Sequence, residues 1–306
     1  MARLSSWPEH TLGSTWRGNV EQADIAVDGK YGVRMVAARW PEGESAPVLE
    51  VSTRFMTRDR SVDLSRPAAS AQRLEGTERA LSLEPTALIP IDGIVRETAL
   101  QVTRGAGSDL HKARAIYEWV VENTYREPTT RGCGWGDIKS MLQSGNLGGK
   151  CGDLNAMFVG LARAAGVPAR DVYGVRVAPS RHGYKSLGAG PADISKAQHC
   201  RAEFFAEGYG WVPVDPADVR KVILEEPPGK LPIDHAQVVA ARQRLFGNWE
   251  MNWLPYNMGH DIALPGSRGP VLPYLMYVNA EAGGERRDQL DPQSVRYSIT
   301  AREITG

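Results

Sequence analysis

The sequence predicts an α+β protein in which a helix that begins at a cysteine packs on an antiparallel sheet, with a β-rich region in front of this core. Residues 1–95 alternate apolar and polar side chains between turn signals, as strands do. Two later segments, 108–123 and 152–165, carry apolar residues at helical spacing. Strand-like segments follow, and two of them, 198–205 and 211–215, are close enough in sequence to form a hairpin.

The composition is that of an ordinary globular protein. Its 306 residues give room for one large domain or two, and Lys plus Arg equals Asp plus Glu at 36 each. Nucleic-acid binders carry a positive excess, so we expect no nucleic-acid partner. No apolar run approaches the roughly 20 residues of a membrane helix, so no membrane-spanning segment is expected. The polar start, Met1 to Ser5, is typical both of a periplasmic or secreted protein whose signal has been removed and of a cytoplasmic protein.

The N-terminal region is predicted to be a β-rich accessory layer without chemistry of its own. From Ala23 to Asp28 apolar and polar residues alternate, and Asp28-Gly29 supplies a turn signal. Two more strands are predicted over 31–39 and 48–54, separated by a stretch rich in Pro, Gly, Ser and Glu.

A core helix is predicted over 108–123. Ser108 is a suitable N-cap, and Asp109 suits the positive end of the helix dipole. A long glycine-rich loop over 126–150 follows, with a short helix inside it near 137–142. Loops of this length in compact domains are often functional, and this one leads directly to Cys151.

The helix that starts at Cys151 is predicted to end before Gly166, and Pro168 prevents its continuation. Strands are then predicted over 172–177 and over the two hairpin segments. The tail is predicted to add a helix at 236–245 and strands at 272–278 and 294–303. We therefore divide the chain into an accessory region, a core and a C-terminal extension: 1–95, 96–230 and 231–306.

Cys151 is the candidate nucleophile. A thiolate rather than a thiol attacks, and a helix N-terminus lowers a thiol pKa through its unpaired N–H groups and dipole. Lys150 adds a neighbouring positive charge. The Cys151 N–H is also free of helical bonding and can donate to a developing oxyanion, an interaction typically worth about 3–4 kcal/mol.

The hairpin supplies a candidate base and orienter. With a three-residue loop at 206–208, Phe205 lies opposite Tyr209 and His199 lies opposite Asp215. Their Cβ atoms are then about 4.5–5.5 Å apart on one face, which suits a carboxylate that holds an imidazole. A one-residue slip would put the pair on opposite faces.

The other cysteines are predicted to stand apart from the chemistry. Alternation along the strand points Cys200 away from the face that carries His199. Cys133 is a rival nucleophile, but no helix pattern begins directly after it. These two can pair in an oxidising compartment or both stay reduced. No zinc-ligand spacing links Cys151, His199 and Cys200, so we expect no metal.

Three motifs in this order resemble the transglutaminase-like superfamily, and most closely its bacterial members, which are often described as cysteine proteases. The motifs are Gly149 to Leu154, the His199 strand that ends in Glu203-Phe204-Phe205, and Trp211 to Pro216, while 166–170 also fits. The likeness covers about 95–225. It implies a papain-like α+β core with Cys151 as nucleophile, His199 as general base and acid, and Asp215 as orienter, without a cofactor.

The resemblance implies attack of the cysteine on a protein or peptide amide through a thioester. Hydrolysis is favoured over cross-linking because water needs no second binding site. Two alternatives remain open: a catalytically inactive binding module of the cell envelope, and an envelope protein in which Cys151 only packs. The sequence leaves the amide and the oligomeric state open.

Overall fold

The computed structural model describes residues 10–68, 73–190 and 192–304, so the N-terminal residues 1–5 discussed above lie outside the described part of the chain. In the described part the helices are α1 Gly76–Leu81, α2 Gly93–Val102, α3 Asp109–Asn123, α4 Ile138–Ser144, α5 Cys151–Ala164, α6 Pro216–Glu225 and α7 Ala236–Arg244. The strands are β1 His10–Gly18, β2 Gln22–Val27, β3 Arg34–Arg39, β4 Leu49–Met56, β5 Arg60–Ser61, β6 Tyr125–Arg126, β7 Gly148–Gly149, β8 Ala169–Arg176, β9 Gln198–Ala206, β10 Gly210–Val214, β11 Asn248–Trp249, β12 Trp253–Asn257, β13 His260–Ile262, β14 Leu272–Tyr274, β15 Glu281–Ala282 and β16 Glu285–Arg286.

The core is the helix α5 packed on a four-stranded antiparallel sheet of order β10-β9-β8-β12. Apolar side chains line the interface, and the rings of Phe158 on α5 and Phe204 on β9 lie 6.1 Å apart. Residues 151–163 of α5 are buried, as are residues 169–176 of β8. A helix with no solvent face is enclosed by the rest of the fold, so its N-terminal end is held firmly. The predicted α+β, papain-like class is confirmed.

The hairpin β9–β10 has a different register from the predicted one. Ala206 pairs with Gly210 and Ala202 with Val214, so the loop is Glu207 to Tyr209. Asp215, just past the paired residues, therefore comes level with Arg201 rather than with His199. The error is two residues, and because side chains alternate with a period of two, His199 and Asp215 still share a face.

The N-terminal region contains two-stranded sheets, as its patterning suggests, but it also contains the helix α1 and the start of α2, which were not predicted. The predicted strands at 23–28, 31–39 and 48–54 correspond to β2, β3 and β4, while β1 was not predicted. β1 pairs with β4 and β2 with β3. Whether the chain divides at 95/96 and 230/231 stays a prediction.

The predictions for the tail and for one helix need correction. The helix at 236–245 is present as α7, but the strand at 272–278 is shortened to β14. The strand prediction at 294–303 is wrong, because in the described residues this segment forms a single isolated β-bridge, between Thr300 and Asp193 in the loop before β9. The helix α6 was not predicted, although Asp215 is its N-cap and Pro216 takes the first helical position, where proline is favoured.

None of the helices in the described residues is long and apolar enough to span a bilayer.

Candidate active site

The start of α5 is fixed by a carboxylate at its third position. Asp153 accepts hydrogen bonds from the backbone N–H of Lys150 (3.0 Å) and of Gly136 (2.9 Å). The Lys150 ammonium donates to the Thr130 carbonyl at 2.6 Å. Lys150 thus ties the glycine-rich loop to the helix.

Cys151 lies at this helix N-terminus and is only 4% exposed. The next residue, Gly152, donates its N–H to the Cys133 carbonyl at 2.7 Å, and a Cβ on Gly152 would lie 2.6 Å from that oxygen. Glycine is therefore required for this close approach. No hydrogen-bond acceptor faces the Cys151 N–H within the described ranges, which leaves this group available to an oxyanion.

Both other cysteines contact Cys151, and all three thiols are free. The prediction that Cys200 points away from the site is wrong. Alternation does separate Cys200 from His199, but the Cys200 face is the one that packs on α5, where Asn155 donates its side-chain N–H to the Cys200 carbonyl at 2.8 Å.

The thiols differ in acidity because they hydrogen-bond to one another. Hydrogen bonds from Cys133, from Cys200 and from His199 hold the pKa of Cys151 well below its usual range, against the effect of burial. The hydrogen bond to Cys151, together with burial, raises the pKa of Cys133. Burial first, and then the hydrogen bond to Cys151, raises the pKa of Cys200. The arrangement therefore favours one thiolate between two neutral thiols.

His199 and Asp215 are in direct contact. The distance from His199 Nε2 to Asp215 Oδ2 is 2.7 Å, and both side chains are buried. An ionised carboxylate only accepts, so Nε2 carries the proton and Nδ1 is left for the thiol. The second oxygen of Asp215 accepts the Asp218 N–H at 3.0 Å, which caps α6. The carboxylate that orients the imidazole is thus itself held by a helix.

Sequence reasoning missed a second carboxylate and its partner. Asp218 Oδ1 lies 3.4 Å from His199 Nε2 and 2.6 Å from Arg176 Nη2. Arg201 Nε lies 3.5 Å from Asp215 Oδ2. The sequence did contain signals for two of these residues. Asp218 stands one helical turn after the Asp215 cap, and Arg201 shares the strand face of His199.

These charges act on each other through short distances. Burial, reinforced by the charge of Asp218, raises the pKa of Asp215. Burial would also raise the pKa of Asp218, but the charges of Arg176, His199 and Arg201 together outweigh it and hold that pKa well below its usual range. Burial and Arg176 lower the pKa of His199, and the two carboxylates outweigh them, so the net direction is upward.

The histidine and the two carboxylates of this site are also candidate metal ligands. One ligand atom each from His199, Asp215 and Asp218 lies within 4.8 Å of the others. Arg176 and Arg201 already hold positive charge against these carboxylates, which disfavours a cation at this position.

A short piece of chain lies over Cys151, and we call residues 273–277 the covering segment. Its Met276 is 4% exposed and packs in one cluster with Cys133 and Cys151. Tyr274 donates its hydroxyl to the Gly134 carbonyl and stacks on Tyr173 with ring centroids 4.7 Å apart. Depressions of about 240 Å³ and 300 Å³ border this segment, and both are lined by the exposed Trp135.

The chain is similar to a known protein family and to a bacterial relative. Residues 96–216 match the family model described as the transglutaminase-like superfamily. An uncharacterized protein of Haemophilus influenzae is 35% identical over 304 residues, which cover 94% of this chain and 81% of that protein.

Two solved structures are similar in part. A candidate cysteine protease from Cytophaga hutchinsonii is 16% identical with a TM-score of 0.48, and the match covers 68% of this chain and 66% of that one. The periplasmic domain of TgpA from Pseudomonas aeruginosa is 16% identical with a TM-score of 0.40, again over 68% of this chain and 66% of that one.

Proposed function

This chain belongs to the transglutaminase-like superfamily, and on that premise we propose that it is a cysteine acyl-transfer enzyme in which Cys151, His199 and Asp215 are the catalytic residues. One observation carries the proposal: the 2.7 Å bond from His199 to Asp215 stands beside a helix-borne thiol whose pKa is held low, in part by that histidine. A nucleophile, a base and an orienter are the three parts that such chemistry needs.

The reaction follows from the roles of these groups. The Cys151 thiolate attacks the amide carbonyl carbon, and the Cys151 N–H donates to the oxyanion that forms. The tetrahedral species collapses to a thioester when the C–N bond breaks, and the imidazolium of His199 gives its proton to the leaving amine. Water, deprotonated by His199, then attacks the thioester and releases the acid and the Cys151 thiolate.

The substrate that we propose is a protein or peptide amide, including an isopeptide, and hydrolysis is the favoured outcome. Transfer to an amine needs a second molecule held against the thioester, whereas water reaches it without a dedicated site. Partition of a trapped acyl-enzyme between water and an added primary amine measures this preference directly.

The test of the nucleophile is alkylation of Cys151 by iodoacetamide against pH, with each cysteine followed separately by peptide mapping. We expect an apparent pKa below about 8.5, the value of an unperturbed thiol, and a rise in His199→Ala. An apparent pKa of Cys151 near 8.5 that is the same in His199→Ala would refute the assignment.

The test of the reaction is capture of the acyl-enzyme. The protein is mixed with peptides or a cell-wall extract, quenched in acid and weighed, with Cys151→Ser as the control. An adduct on Cys151 that is absent from Cys151→Ser identifies both the nucleophile and the acyl group.

A second candidate, a catalytically inactive binding module of the cell envelope, is favoured by one observation. Cys151 is 4% exposed beneath the covering segment, so no amide reaches it in this conformation. That candidate predicts the same binding of peptides by the native chain and by Cys151→Ser, with no adduct on either.

A further inference from the structure

We propose that Cys133 is a resolving cysteine, which captures Cys151 as a Cys133–Cys151 disulfide after a small hydroperoxide has oxidised Cys151. This modification site lies outside the amide chemistry, and it needs neither His199 as a base nor a peptide substrate.

The backbones of the two cysteines lie close together. The bond from the Gly152 N–H to the Cys133 carbonyl, 2.7 Å long, fixes this proximity, and the two side chains belong to one buried cluster. A disulfide requires Cα atoms about 4.4–6.8 Å apart and side chains that face each other. The Cys133 thiol, which donates to the Gln198 carbonyl at 3.5 Å, packs in the same small buried cluster as the Cys151 thiol, and each thiol shifts the pKa of the other, so the two side chains face a common space.

The chemistry balances with hydrogen peroxide as the oxidant. The Cys151 thiolate attacks one peroxide oxygen, the O–O bond breaks, and a sulfenic acid and hydroxide form. The Cys133 sulfur then attacks the Cys151 sulfur, the S–O bond breaks, and water leaves with the proton that Cys133 gives up. Two thiols are oxidised by two electrons, and one peroxide is reduced to two waters.

Cys200 contacts Cys151 as well, but it is the poorer partner. It sits inside β9, where it pairs with Tyr173 on β8, and Asn155 holds its carbonyl. Cys133 lies in a loop between Gly132 and Gly134, whose φ angles are +56° and +89°. Cys133 lies outside every helix and strand of the described residues, so turning its side chain toward Cys151 breaks no sheet hydrogen bonds, whereas movement of Cys200 would break them.

The oxidant must be small, because the site is closed. Cys133 and Cys151 are 6% and 4% exposed, and the covering segment lies over both. Hydrogen peroxide is close to water in size, whereas a glutathione-sized disulfide could not approach either sulfur. The disulfide would remove the nucleophile reversibly and protect it from the irreversible sulfinic acid.

The test uses the reduced full chain and hydrogen peroxide. After exposure, free thiols are blocked under denaturing conditions and the non-reduced digest is mapped by mass spectrometry. We expect a linked Cys133–Cys151 peptide, free Cys200, and recovery of both thiols on treatment with a dithiol reductant. Cys200→Ser should give the same link, while Cys133→Ser should lose it and accumulate sulfenic and sulfinic acid on Cys151.

Three results would overturn the proposal: a Cys151–Cys200 link, sulfinic acid on Cys151 of the native chain without a link, or unreacted thiols. The native-chain map decides even when Cys133→Ser fails to fold. Amide turnover is not part of the readout, so failure of the proposed enzyme and failure of this site give different results.

Discussion

His199 lies between two carboxylates that hold it in different ways. Asp215 makes the short bond, and Asp218 stands farther off but is kept ionised by Arg176. Burial, reinforced by the charge of Asp218, raises the pKa of Asp215, whereas the positive charges around Asp218, that of Arg176 foremost, lower the pKa of Asp218. The more distant carboxylate therefore supplies the more permanent negative charge.

At the residue scale we expect Asp218→Asn to lower the pKa of His199, even though Asp215 remains. The raised pKa of His199 depends on the charge of Asp218, and without that charge only Asp215 opposes the lowering by burial and by Arg176. Arg176→Gln should move the pKa of His199 upward. Titration of the His199 ring by NMR in both variants measures these shifts, and an unchanged pKa in Asp218→Asn would contradict the role.

The sequence predicts one part of this site well and another poorly. Alternation predicts that His199 and Asp215 share a face, and this survives a two-residue error in register because faces repeat every two residues. Alternation does not say which face a helix will cover, so it misjudged Cys200. Arg176 ends β8 and Asp218 lies in the first turn of α6, so their contact arises only from the tertiary fold.

At the element scale, Asp215 has two functions that substitutions separate. It caps α6 through the Asp218 N–H and it orients His199. Asp215→Asn keeps a cap oxygen and removes the charge, so we expect lost turnover with the cap retained. Asp215→Ala removes both and should lower the free energy of unfolding by about a further 1 kcal/mol. Urea unfolding of the two variants compares them, and equal midpoints would argue against the cap.

The start of α5 offers a test of close packing. A Cβ on Gly134 would lie 1.8 Å from the Asp153 carboxylate that caps this helix. Gly145 also has a positive φ, +70°, but nothing lies within 4 Å of the position that a Cβ would take there. Both alanine variants carry the left-handed strain of about 1–2 kcal/mol, and only Gly134→Ala displaces Asp153.

We therefore expect Gly134→Ala to lower the free energy of unfolding by about 1–3 kcal/mol more than Gly145→Ala does. This difference is the typical penalty for an unsatisfied buried polar group. Thermal or urea unfolding supplies the comparison. Equal losses would show that Asp153 moves aside freely.

Helices and strands whose own sequence carries a cap or an apolar stripe were predictable. Those that depend on contacts with distant parts of the chain were not. α3 has a cap at Ser108, which accepts the His111 N–H, and an apolar stripe. The segment 294–303 alternates in the same way as a strand, yet in the described residues it meets a loop rather than a sheet. Alternation of apolar and polar residues indicates that a segment is half-buried. It does not indicate which other part of the chain its backbone will hydrogen-bond to.

At the scale of the whole molecule, the accessory region is joined to the core through buried charge. Arg60 on β5 donates to Glu203 on β9 at 2.6 Å and to the Trp211 carbonyl at 3.1 Å. Arg170 on β8 bonds to the same glutamate. Loss of one partner of the buried Glu203 carboxylate would lower the free energy of unfolding. The contact therefore holds the N-terminal strands against the sheet that carries His199.

The covering segment gives the prediction at this scale. Tyr274→Phe removes the hydroxyl bond to Gly134 and should raise the rate of Cys151 modification by a bulky maleimide more than the rate with iodoacetamide. Tyr184→Phe is the matched control, since its hydroxyl also donates to a backbone carbonyl, that of Gln237 at 2.9 Å, away from Cys151. An unchanged ratio of the two rates in Tyr274→Phe would show that this bond does not hold the segment down.

Because residues 273–277 cover Cys151, this segment must move away before each reaction with a large amide. Were only one molecule in about a hundred uncovered, corresponding to about 2.7 kcal/mol, each second-order rate constant would fall about a hundredfold below its intrinsic value. An amide that stabilises the uncovered form would recover that factor through binding. Selectivity would then depend on how well a substrate competes with the protein's own Met276 and Tyr274, before any bond to sulfur forms.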